Sequence, residues 1–229
     1  MTYAERLDKR KFDETRPITA KVHVIKNADG SGYFKIGDTE AYAAVYGPRQ
    51  LFRRAIQDPE KGILNVNYNM LPFSGSGDRV RPGGNRRSKE ISMVIQKAFM
   101  PVIDLSDFPN AVVDLFIELP QTDAGTRCAA ICAASLALAD AGIIMKDLVT
   151  SVAVGKVDDK VLVDLSYDEE AYEEGPVADI PMAYLPNLDK FSLLQMDATL
   201  MILPKFRSII DFSTSRAHKK HDVRLASCT

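Results

Sequence analysis

Apolar side chains recur along this chain with two different periods, which predict strands and helices in alternation. Between Leu64 and Met70 every second residue is apolar, and three asparagines occupy the positions between them. This alternation is typical of a strand with one buried face. Residues 91–102 and the alanine-rich segment 124–141 instead carry apolar side chains three to four positions apart. That spacing predicts two helices, the second of which ends at Gly142.

Shorter apolar runs bounded by turn residues predict the remaining strands. Asp29-Gly30 and the Asn187–Asp189 stretch are typical of hairpin turns, and Gly47-Pro48 is predicted to end a strand. Strands followed by a helix, twice along the chain, predict an α+β fold of mixed sheets packed on helices. The predicted strands cover residues 18–24, about 33 onward, 41–46, 111–119, 149–156, 160–165, 180–185 and 190–196.

The repeated order of elements predicts one large domain with an internal pseudo-repeat. We expect this domain to cover residues 1–200, with related halves at about 15–105 and 110–200. Beyond it, an apolar stripe begins near Pro204 but is soon lost. We therefore expect an atypical C-terminal segment at 201–229, with a short helix followed by a frayed tail.

The composition is that of a globular chain large enough to bury a core. The chain has 229 residues, of which 46% are hydrophobic and 26% are charged, and its 12 prolines are scattered. These values exclude a disordered or collagen-like protein. No apolar run approaches the roughly 20 residues that cross a bilayer, and the charged start lacks a secretory signal. We therefore expect a soluble, cytoplasmic protein.

The three cysteines are too few for a disulfide framework. Cys128 and Cys132 lie four residues apart in the alanine-rich segment, on one face of the predicted helix. We interpret them as small core side chains rather than metal ligands, because the chain has only three histidines to complete a site.

The formal net charge of −2 argues against a nucleic-acid partner, yet the charges are sharply segregated. Residues 79–89 contain five basic side chains and no acid, whereas residues 164–179 contain seven acids and no base. The basic stretch is interpreted either as an exposed connection or as a grip on a phosphodiester backbone. Its Arg86 and Arg87 directly precede the first predicted helix, where free amides add to the positive field.

The start of the second predicted helix is a candidate anion site. Gly125 permits close approach, the Thr126 hydroxyl donates a hydrogen bond, and the Arg127 guanidinium forks to two oxygens. From spacing alone, an ordinary helix start with a surface arginine is the favoured interpretation of so short a pattern.

The acidic stretch is a candidate cation site. Asp179 directly precedes an apolar strand, which would hold its carboxylate at a strand edge. Carboxylates gathered in one place repel each other, and a hard cation such as Mg²⁺ relieves that repulsion. The alternative interpretation is a solvated acidic loop, a role that we assign to Asp168, Glu169 and Glu174.

Several common catalytic patterns are missing from the sequence. It has no serine nucleophile elbow, no phosphate-binding loop ending in Gly-Lys-Ser/Thr, and no apparent histidine base. We therefore expect chemistry without a protein nucleophile, a requirement met by attack of external phosphate on a metal-bound phosphodiester.

Six stretches together resemble the RNase PH family of phosphate-dependent exoribonucleases. They span residues 6 to about 197, and QTDAGTR followed by an alanine-rich helix and ADAGI is a specific signal. The last stretch resembles the catalytic ring subunits of archaeal exosomes more than the bacterial tRNA-trimming enzymes. The stretches are RLDKRKFDETRPI (6–18), KNADGSGY (26–33), AAVYGPR (43–49), NRRSKEIS (85–92), QTDAGTRCAAICAASLALADAGI (121–143) and ADIPMAYLP (178–186).

This resemblance implies an RNase PH-like fold and an activity. The implied reaction is phosphorolysis of single-stranded RNA from its 3′ end, which releases nucleoside diphosphates, with RNA tailing as the reverse reaction. The implied assembly is a ring of three such subunits alternating with three non-catalytic RNase PH-like subunits, capped by RNA-binding subunits. Inorganic phosphate is the implied co-substrate, and Mg²⁺ or Mn²⁺ is the expected cofactor.

The resemblance also implies roles for individual residues. It assigns inorganic phosphate to Gly125, Thr126 and Arg127 and the RNA backbone to Arg86 and Arg87. It assigns the reaction centre, as a metal ligand or general acid, to Asp179.

The chain departs from the family pattern in two features near the site, the second acid and the side chains of one strand. The family has a second acid shortly before Asp179; matching DLSYDEE from its start favours Glu170, whereas counting back from Asp179 favours Glu173. Asn65 and Asn67 stand on a strand where archaeal relatives often carry arginine. We expect them to make weaker phosphate contacts, since each lost cation reduces electrostatic affinity.

The end of the chain departs from the family as well. The family normally ends in a long amphipathic helix, which this sequence does not continue, so we hypothesise a truncated or aberrant terminus such as a shifted reading frame would produce. Two other functions stay open at this point. One is a non-catalytic RNA-binding scaffold subunit of the same ring, and the other is a homohexameric tRNA 3′-end trimming enzyme.

Overall fold

The computed structural model describes residues 5–50, 57–76, 79, 81, 84–158, 160–172 and 175–195. Within them the chain forms two antiparallel or mixed sheets with helices packed between and beside them. The strands are β1 (Ile18–Val22), β2 (Gly30–Ile36), β3 (Thr39–Gln50), β4 (Ile63–Met70), β5 (Ala111–Gln121), β6 (Thr150–Val157), β7 (Lys160–Val163), β8 (Val177–Leu185) and β9 (Lys190–Leu194). The helices are α1 (Arg86–Phe99), α2 (Thr126–Asp140) and α3 (Tyr167–Glu170).

The first sheet has five strands in the order β1-β2-β3-β5-β4. Strand β4 runs parallel to β5, and the other neighbours are antiparallel. In β4 the side chains of Leu64 and Tyr68 are buried while Asn65 and Asn67 are exposed, as the alternation predicts. The buried face of this sheet carries the largest core cluster, which α1 and α2 complete.

The second sheet has four antiparallel strands in the order β7-β6-β8-β9. Helix α2 packs against strands of both sheets and is buried along almost its whole length. Its small side chains allow very close packing on β2, where a Cβ atom at Gly32 would lie 2.5 Å from the Ala133 carbonyl oxygen. This close approach to the backbone of α2 requires glycine at position 32 of β2.

An N-terminal arm, residues 5–17, packs on the second half of the chain through two buried arginines. Arg6 is 2% exposed and forms a 2.7 Å ion pair with Glu169. Arg16 is 6% exposed and forms a 2.9 Å ion pair with Asp164. The arm joins the start of the chain to the segment that links β7 to α3.

The structure confirms the predicted α+β class and shows where local patterns mislead. Strand β3 does not end at Gly47-Pro48; it continues to Gln50 through a register shift between Tyr46 and Arg49, where a proline without an amide hydrogen is tolerated. Helix α2 begins at Thr126 rather than at residue 124, because Ala124 and Gly125 have positive φ angles of 52° and 62°.

The sheets are divided differently from the predicted halves. Strand β5 follows the expected boundary near residue 110, yet it lies between β3 and β4 of the first sheet. The short helix α3 was not predicted, since its sequence Tyr-Asp-Glu-Glu has no apolar periodicity. The expected C-terminal segment at 201–229 lies outside the described residues, so its helix and tail stay predictions.

Candidate active site

One cavity of about 530 Å³ lies where the two sheets meet the first turns of α1 and α2. It brings together residues that are far apart in the sequence, from both the basic and the acidic stretch. The predicted site residues that line it are Arg87, Gly125, Thr126, Arg127, Glu170 and Asp179. The two charged stretches therefore do meet in space.

The anion loop, residues 122–127, forms one wall of this cavity. Gly125 is the N-cap of α2 and supplies no side-chain cap, and the first turn of α2 contains no acidic residue. Uncapped amides at a helix start attract anions, because they point outward and carry the positive end of the helix dipole. Arg127 lies in this first turn and lines the cavity together with Gly125 and Thr126, so a cationic side chain stands beside the uncapped helix start.

The start of α1 borders the same cavity but is built differently. Asn85 caps the helix, since its side-chain oxygen accepts a 2.7 Å hydrogen bond from the Ser88 amide. Both Arg86 and Arg87 are exposed, and only Arg87 lines the cavity. The structure thus distinguishes two adjacent arginines to which the sequence analysis assigns the same role.

Two carboxylates, Glu170 and Asp179, line the same cavity, and we call them the acidic pair. Glu170 ends α3, and Asp179 lies on β8 in register with Gly155 of β6. Burial and the neighbouring Asp179 charge raise the pKa of Glu170 to about 7. Arg87, the Gly125 amide and Arg16 oppose this rise. Two ionised carboxylates are thus unfavourable in this cavity without added positive charge.

Two carboxylates that line one cavity match the protein ligands of a divalent cation that takes its other ligands from substrate and water. In the described part of the chain, no group of three or more His, Cys, Asp or Glu side chains is placed to hold a metal ion. Mg²⁺ commonly binds through only one or two carboxylates together with substrate phosphates and water. The observation that supports this fit is that both carboxylates line one cavity, where each raises the cost of ionising the other and a cation would relieve their repulsion.

The other acids of the stretch divide into three kinds. Asp168 is exposed, as predicted, whereas Glu173 and Glu174 lie outside the described residues. The prediction that Glu169 is solvated is wrong: it is 1% exposed and binds Arg6 through both carboxylate oxygens. The sequence misses this contact because the partner lies 163 positions away on the N-terminal arm.

Two of the three asparagines of β4 donate hydrogen bonds to the neighbouring strand β5. The Asn65 amide donates a 2.7 Å hydrogen bond to Asp114, and Asn69 donates a 2.9 Å bond to Glu118. Asn67 is exposed and lines a second, shallower groove beside Ser88 and Lys89. Of the two candidate RNA contacts on this strand, Asn65 therefore faces an acid, which disfavours phosphate.

Two of the cavity-lining residues that the sequence did not single out carry side chains of chemical interest. Tyr167 is 50% exposed and presents an aromatic ring at the cavity edge. Cys128 is buried, as predicted, but it also lines the cavity one position beyond Arg127. No local pattern marks either residue, since α2 and α3, which carry them, are far apart in the sequence and share this cavity only in the folded chain.

Comparison with known proteins agrees with this geometry. Residues 14–144 match domain 1 of the 3′ exoribonuclease family, RNase PH, and residues 147–216 match its domain 2. The chain is 51% identical over 196 residues to exosome complex component Rrp41 of Thermococcus kodakarensis, covering 86% of this chain and 77% of that protein. It is 49% identical over 195 residues to Rrp41 of Methanopyrus kandleri, covering 85% and 80%.

Solved structures show the same fold. The Archaeoglobus fulgidus exosome with RNA bound to the active site superposes with a TM-score of 0.80 at 25% identity, covering 95% of this chain and 92% of that chain. Rice Rrp46 superposes with a TM-score of 0.83 at 22% identity, covering 95% and 96%, a likeness of fold alone. The chain belongs to the RNase PH family of 3′ exoribonucleases. No helix within the described ranges is both long and apolar enough to span a membrane.

Proposed function

We propose that the protein is the catalytic subunit of an exosome ring and degrades single-stranded RNA from its 3′ end with inorganic phosphate. The observation that carries this proposal is the convergence, in one cavity, of an uncapped helix start, two arginines and two carboxylates. The helix start and the arginines suit an anionic nucleophile and the RNA backbone, and the two carboxylates suit a cation or a proton donor.

The anion loop is the proposed binding site of inorganic phosphate. The amides at the start of α2, the Thr126 hydroxyl and the Arg127 guanidinium offer several donors to one anion. A phosphate oxygen then attacks the phosphorus of the terminal phosphodiester, and the bond from that phosphorus to the 3′ oxygen of the preceding nucleotide breaks. The terminal nucleotide leaves as a nucleoside diphosphate, and the shortened RNA keeps its 3′ oxygen, which takes up a proton.

The acidic pair is the proposed centre for the leaving oxygen. Asp179 and Glu170 would hold Mg²⁺ or Mn²⁺ together with substrate phosphate, and the cation, when bound, offsets negative charge that develops in the transition state. Asp179 is alternatively the acid that protonates the leaving oxygen. Glu170 is the second acid in this proposal because it lines the cavity, whereas Glu173 lies outside the described residues.

The arginines at the start of α1 are the proposed grip on RNA. Arg87 lines the cavity and Arg86 is exposed beside it, so both can neutralise backbone phosphates without contacting bases. The names of the Rrp41 relatives and the RNA-bound Archaeoglobus exosome support an assembly with other exosome subunits. We include a non-catalytic RNase PH-like ring subunit and RNA-binding cap subunits in the proposal, together with a cytoplasmic location.

The direct experiment compares wild type with Asp179→Asn, in the full-length chain assembled with its ring partner. Single-stranded RNA is incubated with Mg²⁺, with and without inorganic phosphate, and products are separated by chromatography. We expect diphosphates from wild type only when phosphate is present, and a loss of about 1,000-fold or more in the variant with RNA binding retained. Phosphate-independent cleavage to monophosphates would refute the mechanism, and an inactive wild-type ring would favour the scaffold role. Full activity of the chain as a homohexamer would favour the tRNA-trimming alternative.

A further inference from the structure

The anion loop contains an alanine, Ala124, in the left-handed backbone conformation that alanine does not favour. Ala124 and Gly125 both have positive φ angles, 52° and 62°. Glycine adopts this region readily, but alanine adopts it only where surrounding structure enforces it. Something outside the loop must therefore hold it in place.

Arg16 of the N-terminal arm is one of the groups that hold it. Its Nη1 donates to Asp123 twice, at 2.5 Å to the carbonyl oxygen and at 2.7 Å to Oδ2. A Cβ atom built on Gly125 would lie 3.5 Å from Arg16 Nη2, so the guanidinium packs directly behind the loop. Its bonds are made to protein groups, which makes Arg16 a support of the loop rather than a ligand for substrate.

Thr39 of β3 also binds the backbone of the anion loop, at Asp123 and Ala124. Its hydroxyl oxygen is buried and lies 2.8 Å from the Asp123 carbonyl oxygen and 2.7 Å from that of Ala124. It also accepts a 2.8 Å hydrogen bond from the Asp123 amide. The strained residue Ala124 is thus held through its preceding residue and through its own carbonyl group.

Arg16 also connects the anion loop to the acidic side of the cavity. Its Nε and Nη2 bind the two carboxylate oxygens of Asp164 at 3.0 and 2.9 Å, just before α3. The Tyr167 amide, at the start of α3, donates a 3.1 Å hydrogen bond to Asp123 Oδ1. Because α3 ends at Glu170, a single guanidinium links the loop to the helix that carries one of the acidic pair.

We propose that Arg16 is a positioning residue of the phosphate site, which holds the anion loop in its phosphate-binding conformation and sets its distance from α3. This inference rests on the proposed phosphate-dependent function. It gives the arm sequence RLDKRKFDETRPI a role that the reaction itself does not assign to it. Loss of Arg16 should therefore weaken phosphate binding more than RNA binding.

Arg6 provides a matched control on the same arm. It is also buried and paired with a carboxylate of the second half, and it donates further bonds to backbone carbonyls of the arm and of residues 163 and 164. In the part of the chain that the structure describes, its hydrogen bonds do not reach the anion loop. Arg6→Lys therefore reports how much of any effect comes from loosening the arm alone.

The experiment measures three variants, Arg16→Lys, Thr39→Val and Arg6→Lys, in the full-length chain assembled with its ring partner. Phosphate affinity is measured by calorimetric titration, and KM is measured separately for phosphate and for RNA. We expect Arg16→Lys to raise both the Kd and the KM for phosphate about tenfold, since small misplacements at a site are costly. Thr39→Val should raise them about threefold, because it removes one hydroxyl and keeps the side-chain shape. The KM for RNA should change less than twofold in both variants.

Arg6→Lys should lower the unfolding temperature and leave phosphate affinity within about twofold of wild type. An equal loss of phosphate affinity in Arg6→Lys and Arg16→Lys would overturn the inference, as would unchanged affinity in Arg16→Lys or a wild type that binds no phosphate. If Arg16→Lys does not fold, Thr39→Val decides by the same criterion. A wild type that binds phosphate but cleaves RNA without it would refute the proposed function, while weakened binding in the variants would still support the role of Arg16.

Discussion

The starts of α1 and α2 border one cavity, but only α1 has a side chain that caps its first turn. Asn85 caps α1 through the Ser88 amide, and the arginines that follow are exposed. Gly125 gives α2 no side-chain cap, and both Gly125 and the preceding Ala124 have positive φ angles. Both starts lack acidic residues in the first turn, so both attract negative charge.

The difference teaches how the two helices divide one task. The Asn85 cap occupies the Ser88 amide of α1, and the exposed arginines there serve as a surface grip that a long polyanion can reach. An uncapped start leaves amide groups for a small anion, and its shape depends on distant residues of the N-terminal arm and β3. Substitutions at the two helix starts and at the carboxylate of Glu170 would break or sharpen this division.

The largest expected effect is at the uncapped start. Arg127→Ala should lower kcat/KM for phosphate by about 1,000-fold, because it removes a forked donor from an enclosed site that also stabilises developing charge. Arg127→Lys keeps the charge but loses the fork, and should recover only part of the activity. Steady-state phosphorolysis at varied phosphate provides the measurement. A fall of less than tenfold in Arg127→Ala would place the nucleophile elsewhere.

The second effect concerns the carboxylate beside the uncapped start. Because the folded-state pKa of Glu170 is about 7, above its ordinary 4.5, the folded protein binds more protons than the unfolded chain between these values. Stability should therefore fall as the pH rises from about 4.5 to 7, by an amount of the order of 2 kcal/mol in metal-free buffer.

Glu170→Gln should remove this part of the pH dependence and stabilise the protein at pH 8, while phosphorolysis falls sharply. Thermal unfolding at a series of pH values in the presence of a chelator provides the measurement, and added Mg²⁺ should stabilise wild type more than the variant. If the pH profiles of unfolding for wild type and Glu170→Gln coincide, the carboxyl does not titrate as the structure implies.

A third prediction compares the two helix starts by stability. Asn85→Ala should lower the free energy of unfolding by about 1 kcal/mol, since it removes the cap of α1, and should leave the KM for phosphate unchanged. Gly125→Ala should cost a similar amount, because alanine is strained at a φ of 62°, but should also raise the KM for phosphate. Chemical denaturation and phosphate kinetics on both variants separate the two outcomes. Equal kinetic effects would mean that the cap of α1 also shapes the phosphate site.

The smallest effect is expected at Arg86. Arg86→Ala should weaken RNA binding severalfold and reduce the slope of log affinity against log salt by about one, as loss of one phosphate contact does. Phosphate kinetics should be unaffected, whereas Arg87→Ala should alter both, since only Arg87 lines the cavity. Fluorescence anisotropy with labelled RNA at several salt concentrations provides the measurement. Identical behaviour of the two variants would contradict the separation seen in the structure.

Local patterns in the sequence predict much of this fold. The alternation at 64–70 corresponds to β4, and the helical spacing corresponds to α1 and α2 within a few residues at each end. In these elements the apolar residues recur with the period of a single strand or helix, so a short stretch of sequence is enough to predict each one. The predicted stop at Gly47-Pro48 is wrong because a neighbouring strand, β5, pairs on both sides of the irregularity.

The site is predicted only in outline, and the missing parts depend on contacts across the chain. The residues Gly125, Arg127 and Asp179 stand out in the sequence by motif. That Glu169 is a buried partner of Arg6, and that Arg16 supports the anion loop, follows only from the packing of the N-terminal arm on the second half. Charge counts cannot show such pairing, since a buried carboxylate and a solvated one look alike in a sequence.

The central claim is that inorganic phosphate bound at the start of α2 is the nucleophile. The most direct measurement uses phosphate labelled with ¹⁸O, single-stranded RNA and Mg²⁺, with mass spectrometry of the released nucleotides. We predict nucleoside diphosphates whose β-phosphoryl group carries the label from the added phosphate. Release of unlabelled nucleoside monophosphates, with oxygen taken from water, would contradict this account.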